Sequence, residues 1–164
     1  MVNEAYDIRK AGDADLEEIL RIYAAARVFM ASRGNPNQWG RTNPPKQQLL
    51  RDIAAGELYV MERDGKVHGV FAFLLGDDPT YAEIYEGSWL SDSPYGTIHR
   101  IAGIGSGGIF RACVRYCSGI CAHLRVDTHG NNLPMQRAIE REGFIRCGII
   151  HIADGSPRIA YERI

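Results

Sequence analysis

The sequence predicts a single α/β domain, and two features of the chain lead to that prediction. Predicted strands and predicted helices alternate along the chain. The strands show alternating or apolar patterns, and the helices have apolar residues at helical spacing. Near the middle, a strand-like stretch over 97–102 runs into a glycine-rich turn and then an amphipathic helix. A length of 164 residues suits one domain with its own core, and no linker interrupts the chain. We therefore expect one domain over residues 1–164.

The first half of the chain carries clear local signals. An apolar stripe that starts at Leu16, with Asp13 or Asp15 as N-cap, predicts a first helix. Asp64 and Gly65 tolerate the positive φ of a tight turn and predict a hairpin. The expected elements are a strand over 6–11, the first helix, a loop over 35–45, a second helix over 46–55, and hairpin strands over 57–62 and 66–75.

The second half alternates strands and helices around the glycine turn. Asn132 can cap a short helix that tolerates Pro134 in its first turn and ends at Gly143. The expected elements are strands over 81–90 and 97–102, the amphipathic helix, a strand over 123–127, the short helix over 133–142, and strands over 146–152 and 158–163.

Charge and cysteine usage narrow the class of protein. A net charge of −1 and a pI near 6.5, without a basic block, argue against a nucleic-acid binder. No stretch approaches the ~20 apolar residues of a membrane span, so we expect a cytoplasmic protein without a membrane partner. Cys113, Cys117 and Cys121 share one helix face, as small buried hydrophobes would, and their spacing does not suit a zinc site. We expect free thiols and no metal.

The glycine turn predicts an anion site. Gly103, Gly105, Gly107 and Gly108 lie between a strand end and a helix start, where backbone N–H groups and the helix dipole favour phosphate. The turn also matches the dinucleotide fingerprint G-x-G-x-x-G, and Asp127 follows at about the expected 20 residues. The strand before such a fingerprint is buried on both faces, whereas residues 97–102 alternate. A dinucleotide-binding domain is the weaker alternative.

Several stretches of the sequence resemble the GNAT acetyltransferase superfamily, and the resemblance covers nearly the whole chain. The most specific are 97–102, 124–132 and 135–144, while 35–39 and 154–161 resemble a small bacterial branch of unassigned substrate. The resemblance implies a mixed, mostly antiparallel sheet with helices on both faces. It also implies two central parallel strands that splay apart to hold acetyl-CoA as co-substrate.

The resemblance also implies which residues bind the cofactor. The glycine loop would hold the pyrophosphate, the pantetheine arm would add along the edge of the first splayed strand, and Asn132 would reach the arm or cap its helix. The loop departs from the family pattern R/Q-x-x-G-x-G/A, because Phe110 occupies the last small position and the basic residue is missing. The predicted cofactor-binding residues are Ile101, Ala102, Gly103, Gly105, Gly107, Gly108, Ile109, Phe110 and Asn132.

Acetyl transfer to an amine requires a group near the strand ends that accepts a proton at neutral pH, which favours histidine. The candidate catalytic residues are His99, Asp127 and His129. A half-exposed strand position is the alternative role for His99, and turn formation is the alternative for the other two. The family often places a tyrosine as general acid where this chain has Ile139.

Aromatic side chains are candidates for the acceptor pocket. The predicted substrate-binding residues are Trp39, Tyr81 and Tyr85. The sequence thus predicts an N-acetyltransferase that moves acetyl from acetyl-CoA to a small-molecule or peptide amine by direct attack in a ternary complex. Ile139 and Phe110 leave open a non-catalytic acyl-CoA-binding sensor, and a homodimer is left open as the oligomeric state.

Overall fold

A seven-stranded sheet with helices on both faces forms the protein. The computed structural model describes residues 5–105 and 107–164. The strands are β1 (Asp7–Lys10), β2 (Leu58–Arg63), β3 (Lys66–Leu75), β4 (Gly96–Gly103), β5 (Leu124–Thr128), β6 (Ile145–His151) and β7 (Pro157–Arg163). The helices are α1 (Leu16–Ser32), α2 (Lys46–Ala54), α3 (Ile109–Ile120) and α4 (Leu133–Arg141). The strand order in the sheet is β1-β2-β3-β4-β5-β7-β6.

The pairing of β4 with β5 is the only parallel one in the described sheet, and it is short. Every other neighbouring pair of strands is antiparallel. The two strands pair at Gly96 with Leu124 and at Thr97 with Arg125, and the ladder stops there although both strands continue. The predicted mixed sheet with two splayed parallel strands is therefore confirmed.

Side-chain alternation along the strands divides the core between two faces of the sheet. On the first face, Val60 and Ala72 pack with the buried residues of α1 and α2. On the second face, Phe71 packs with Cys113 and Cys117 of α3 and with buried residues of α4. Both cysteines are free and fully buried, which confirms that they act as small core residues. Each large side chain buried in this way contributes roughly 1.5–3 kcal/mol relative to exposure.

The strand predicted over 81–90 is wrong. Tyr81 ends a short 3₁₀ turn, and Tyr85 makes one isolated bridge to Ile149 of β6. The segment lies over the first face beyond α1 and α2, where Tyr81 and Trp89 pack with Ala160 of β7. Its aromatic side chains thus cover the sheet instead of extending it. The other predicted elements are present, with ends displaced by one or two residues.

No helix in the described part of the chain is long and apolar enough to span a membrane.

Candidate active site

A cleft of about 1430 Å³ opens where β4 and β5 diverge. It runs from the start of α3, past the exposed edge of β4, to the loop that joins α1 and α2. The cleft brings together all nine predicted cofactor-binding residues, and also His99, Asp127 and Trp39. Three predicted residues, His129, Tyr81 and Tyr85, are not part of its lining.

The glycine loop leaves the N-terminus of α3 open to the cleft. Gly108 is the N-cap of α3, with φ of +78° and no side chain to cap the helix. The first hydrogen bond of the helix joins Ala112 N to Gly108 O at 3.0 Å, so the preceding N–H groups have no acceptor within the helix. Gly105 and Gly107 also have positive φ, each of 89°. Ser106 lies outside the described residues.

Gly103 has a different role from the other loop glycines. A Cβ atom at this position would lie 2.6 Å from Cγ1 of Ile109, so glycine allows α3 to begin close against β4. A Cβ at Gly107 or Gly108 would have no atom within 4 Å. Gly107 and Gly108 therefore allow the positive φ of the loop, and the space beside their Cα atoms is open.

A β-bulge in β4 lies next to the cleft. Val70 pairs with Ala102 and Ala72 pairs with His99, so two residues of β4 oppose a single residue of β3. Arg100 in the bulge has φ of +52°, and its carbonyl accepts a hydrogen bond of 2.6 Å from Tyr23 OH on α1. The Arg100 side chain also pairs with the buried Asp52 of α2 at 2.9 Å. These contacts fix the bulge in place.

His99 is paired with a carboxylate that the sequence analysis missed. Its Nε2 lies 2.6 Å from Oδ2 of Asp78. Burial by itself would raise the pKa of Asp78, but hydrogen bonds from His99 and Thr80 hold that pKa at about 2. Asp78 is therefore an ionised acceptor at neutral pH, and Nε2 must carry the proton. In the neutral ring, the second nitrogen, Nδ1, is then the one that can accept a proton.

Asp127 of β5 lines the cleft and is hydrogen-bonded by a residue outside the cleft lining. Tyr81 OH donates a hydrogen bond of 2.6 Å to its Oδ2. Burial, followed by the charge of Asp127, raises the pKa of Tyr81 well above its ordinary value, so Tyr81 remains a neutral donor. Tyr81 is 2 % exposed and lies behind Asp127, outside the cleft lining.

The remaining predicted residues divide between cleft and surface. Trp39 lines the cleft and packs edge-on against Tyr23, with ring centroids 5.5 Å apart. Tyr85 is exposed and packs edge-on against His151 at the edge strand β6. Nδ1 of His129 accepts a hydrogen bond from Asn131 N at 2.9 Å, which is the contact of a turn residue.

Asn132 caps α4 and reaches across the cleft. Its Oδ1 accepts from Met135 N at 3.2 Å, and its Nδ2 donates to Gln38 Oε1 at 2.9 Å. The capping role is present, and the contact with the cofactor arm stays a prediction.

A buried polar cluster stabilises the closed end of the two strands. Glu162 of β7 is fully buried and bonds to both His123 and Arg125. The Arg125 guanidinium lies 3.9 Å from the ring centroids of both Trp89 and Tyr95. Because Arg125 is the last residue of β5 that pairs with β4, this cluster anchors the point from which the cleft opens.

The same fold occurs in solved acetyltransferase structures. A GNAT-family acetyltransferase from Streptococcus agalactiae is 29% identical, with a TM-score of 0.85 over 98% of this chain and 96% of that one. The aminoglycoside acetyltransferase AAC(6')-Ib, in complex with paromomycin and acetyl-CoA, is 19% identical with a TM-score of 0.68 over 98% and 93%. A ribosomal-protein-alanine N-acetyltransferase from Brucella melitensis is 18% identical with a TM-score of 0.62 over 96% and 99%.

No protein-family model matches the sequence, and comparison with curated protein sequences finds no match. The structural likeness nevertheless extends over nearly the full length of each chain compared. The chain has the fold of the GNAT acetyltransferases, which confirms the resemblance seen in its sequence.

Proposed function

We propose that this chain is an acetyl-CoA-dependent N-acetyltransferase whose acceptor amine attacks the thioester directly in a ternary complex. The observation that carries the proposal is the continuity of one cleft. It contains an open helix N-terminus at one end and the paired His99 further along the same strand gap. The solved relatives in complex with acetyl-CoA or coenzyme A support the choice of co-substrate.

The residues present suit acetyl-CoA. The N–H groups in the first turn of α3, which have no acceptor within the helix, and the open backbone of Gly107 and Gly108 suit a pyrophosphate. Among the described residues, no strand pairs with β4 on its β5 side beyond Thr97, so the edge of β4 at 101–103 can pair with the amides of the pantetheine arm. The cleft volume of about 1430 Å³ suits a long ligand together with an acceptor.

His99 is the proposed base. The acceptor nitrogen forms a bond to the thioester carbonyl carbon, the C–S bond breaks, and coenzyme A leaves as a thiolate. The proton lost from the nitrogen passes to Nδ1 of His99, while Asp78 fixes the tautomer and stabilises the charge that develops on the ring. Asp127 supplies a second negative group beside the strand gap, where it can attract an ammonium.

The thiolate leaves without a protein acid. Ile139, at the position where the family often has tyrosine, is fully buried in the core of the second face. No tyrosine lines the cleft within the described part of the chain. A thiol with a pKa near 8.5, as for cysteine, is an adequate leaving group without protonation.

Two alternatives make different predictions. A non-catalytic acyl-CoA sensor would bind acetyl-CoA without turning it over. A dinucleotide-binding domain would need a parallel sheet, and the described sheet has one parallel pair only, so that alternative loses its structural basis.

Thermal unfolding followed by an activity assay tests the proposal. At a concentration of 100 times Kd, a ligand stabilises the folded state by about 2.7 kcal/mol, which raises Tm by roughly 5–10 °C in a chain of this size. We expect this shift with acetyl-CoA and none with NAD, together with amine-dependent release of free coenzyme A. Binding without release for a broad amine panel would support the sensor, and no shift at millimolar acetyl-CoA would reject both.

A further inference from the structure

Arg158 is a buried arginine in the acceptor half of the cleft, and the sequence analysis gave it no role. It lies on β7, is 5% exposed and lines the cleft. Its guanidinium donates to neutral oxygens: Ser156 Oγ at 3.2 Å, Pro157 O at 2.8 Å and Gln38 O at 3.4 Å. Five N–H groups are available on a guanidinium, so donors remain, including the one on Nε.

No carboxylate in the described part of the chain lies within ion-pair distance of Arg158. Burial lowers its pKa, and the charges of Asp127 and Asp154 act against that change. Each of these acids is bonded elsewhere, Asp127 to Tyr81 and Asp154 to Ser156. A buried cation without a paired anion is costly, and this cost is offset when an anion binds.

The strand register places Arg158 beside the proposed catalytic residues. Asp127 pairs with Ala160, and Arg158 is two residues before Ala160, so both side chains belong to the same sheet face. His99 belongs to that face as well, because it pairs with Ala72, which packs against α1. A base on β4, an acid on β5 and a cation on β7 thus follow one another across the cleft.

We propose that the acceptor amine carries a carboxylate, as an amino acid or short peptide does, and that Arg158 binds this carboxylate. The proposal rests on the proposed acetyltransferase function and names its substrate class. His99 and Asp127 receive the amine end, and Arg158 fixes the acid end one strand beyond Asp127 and two residues further along β7. Kanamycin, which one solved relative binds, has no carboxylate for Arg158 to bind.

Matched pairs of acceptors test the inference. The panel contains single amino acids and dipeptides, each with its C-terminal carboxamide, and kanamycin. With the wild-type protein we expect the acids to have kcat/KM at least about tenfold above their amides, which is about 1.4 kcal/mol of discrimination. Arg158→Gln should raise KM for the acids by about 10- to 100-fold, leave kcat/KM for the amides within a few-fold and so remove the preference. Arg158→Lys should restore part of it.

Arg137→Gln is the matched control, since Arg137 is exposed on α4 and does not line the cleft. It removes the same charge and should retain the preference for acids, and circular dichroism checks that each variant is folded. If Arg158→Gln does not fold, the ratio of kcat/KM for acids to kcat/KM for their amides in the wild-type protein still tests the preference for a carboxylate.

The outcomes separate the two proposals. Equal rates for acids and amides, or preferred acetylation of kanamycin, would overturn the role of Arg158 and leave the acetyltransferase intact. Calorimetric binding of acids to the complex with coenzyme A, lost in Arg158→Gln and without turnover, would support the carboxylate site and reject the transferase. Absence of both binding and turnover for every acid would overturn the inference.

Discussion

Gly108→Glu should weaken acetyl-CoA binding by roughly 10- to 100-fold. Gly108 is the N-cap of α3 and lines the cleft, and its backbone has φ of +78°. A carboxylate there would repel the pyrophosphate and compete for the N–H groups of the first turn. Losing one hydrogen bond to a charged group costs about 1.5–3 kcal/mol, and 1.4 kcal/mol is a tenfold change in Kd. Calorimetric titration of acetyl-CoA measures the effect.

Gly65→Glu is a closely matched control for this variant. Gly65 lies in the hairpin turn between β2 and β3, with φ of +74°, and a Cβ there also has no atom within 4 Å. Both variants add the same charge and incur similar backbone strain, of roughly 1–2 kcal/mol. We expect both to lose stability and only Gly108→Glu to lose affinity. Unchanged affinity in a folded Gly108→Glu protein would mean that the phosphates bind elsewhere and that this loop only turns the chain.

Three further substitutions test the site and its support. His99→Ala should lower kcat/KM by roughly 10²–10⁴-fold and remove the acidic limb of the pH–rate profile without changing acetyl-CoA affinity; an unaltered profile would reduce His99 to a structural role. Asp78→Asn should lower the free energy of unfolding by about 2 kcal/mol at pH 7. Because the pKa of Asp78 is about 2 in the folded chain and ordinarily 3.8, urea titrations should find this difference above about pH 4 and its loss as the pH falls towards 2. If the difference in the free energy of unfolding persisted at pH 2, it would not come from the lowered pKa of Asp78. Glu162→Ala should cost about 3–5 kcal/mol in urea unfolding, since Arg125 then stays buried without its carboxylate, and a loss below 1 kcal/mol would contradict that ion pair's role.

Elements with local chemical signals were predicted well from the sequence. Asp64 and Gly65 do adopt positive φ, of 53° and 74°, and join β2 to β3 as expected. The glycine loop leads into α3, and Asn132 caps α4. Each of these features depends on residues within one turn of each other. The splay of β4 and β5 followed from the family resemblance, since no local pattern in either strand encodes it.

Features that depend on contacts distant in the chain were missed. Asp78 and His99 are 21 residues apart and meet only because a loop folds back over the sheet. The one available signal was Asp78 before Pro79, a pattern typical of an N-cap. The sequence predicts the strand that carries Arg158 and Glu162 but gives neither residue a role, and both are buried by contacts with distant loops, Arg158 with Gln38 and Glu162 with Leu90. Whether a charged strand residue is buried depends on the loops that cover the sheet, and the alternating pattern of the strand does not predict those loops.

A crystal structure of the chain with acetyl-CoA would show whether the gap between β4 and β5 is the cofactor site. We expect electron density for the pyrophosphate at the start of α3, for the pantetheine arm between β4 and β5, and for the acetyl group on the face that carries His99. Density for the cofactor outside this cleft, or β4 and β5 paired along their full length, would contradict this expectation.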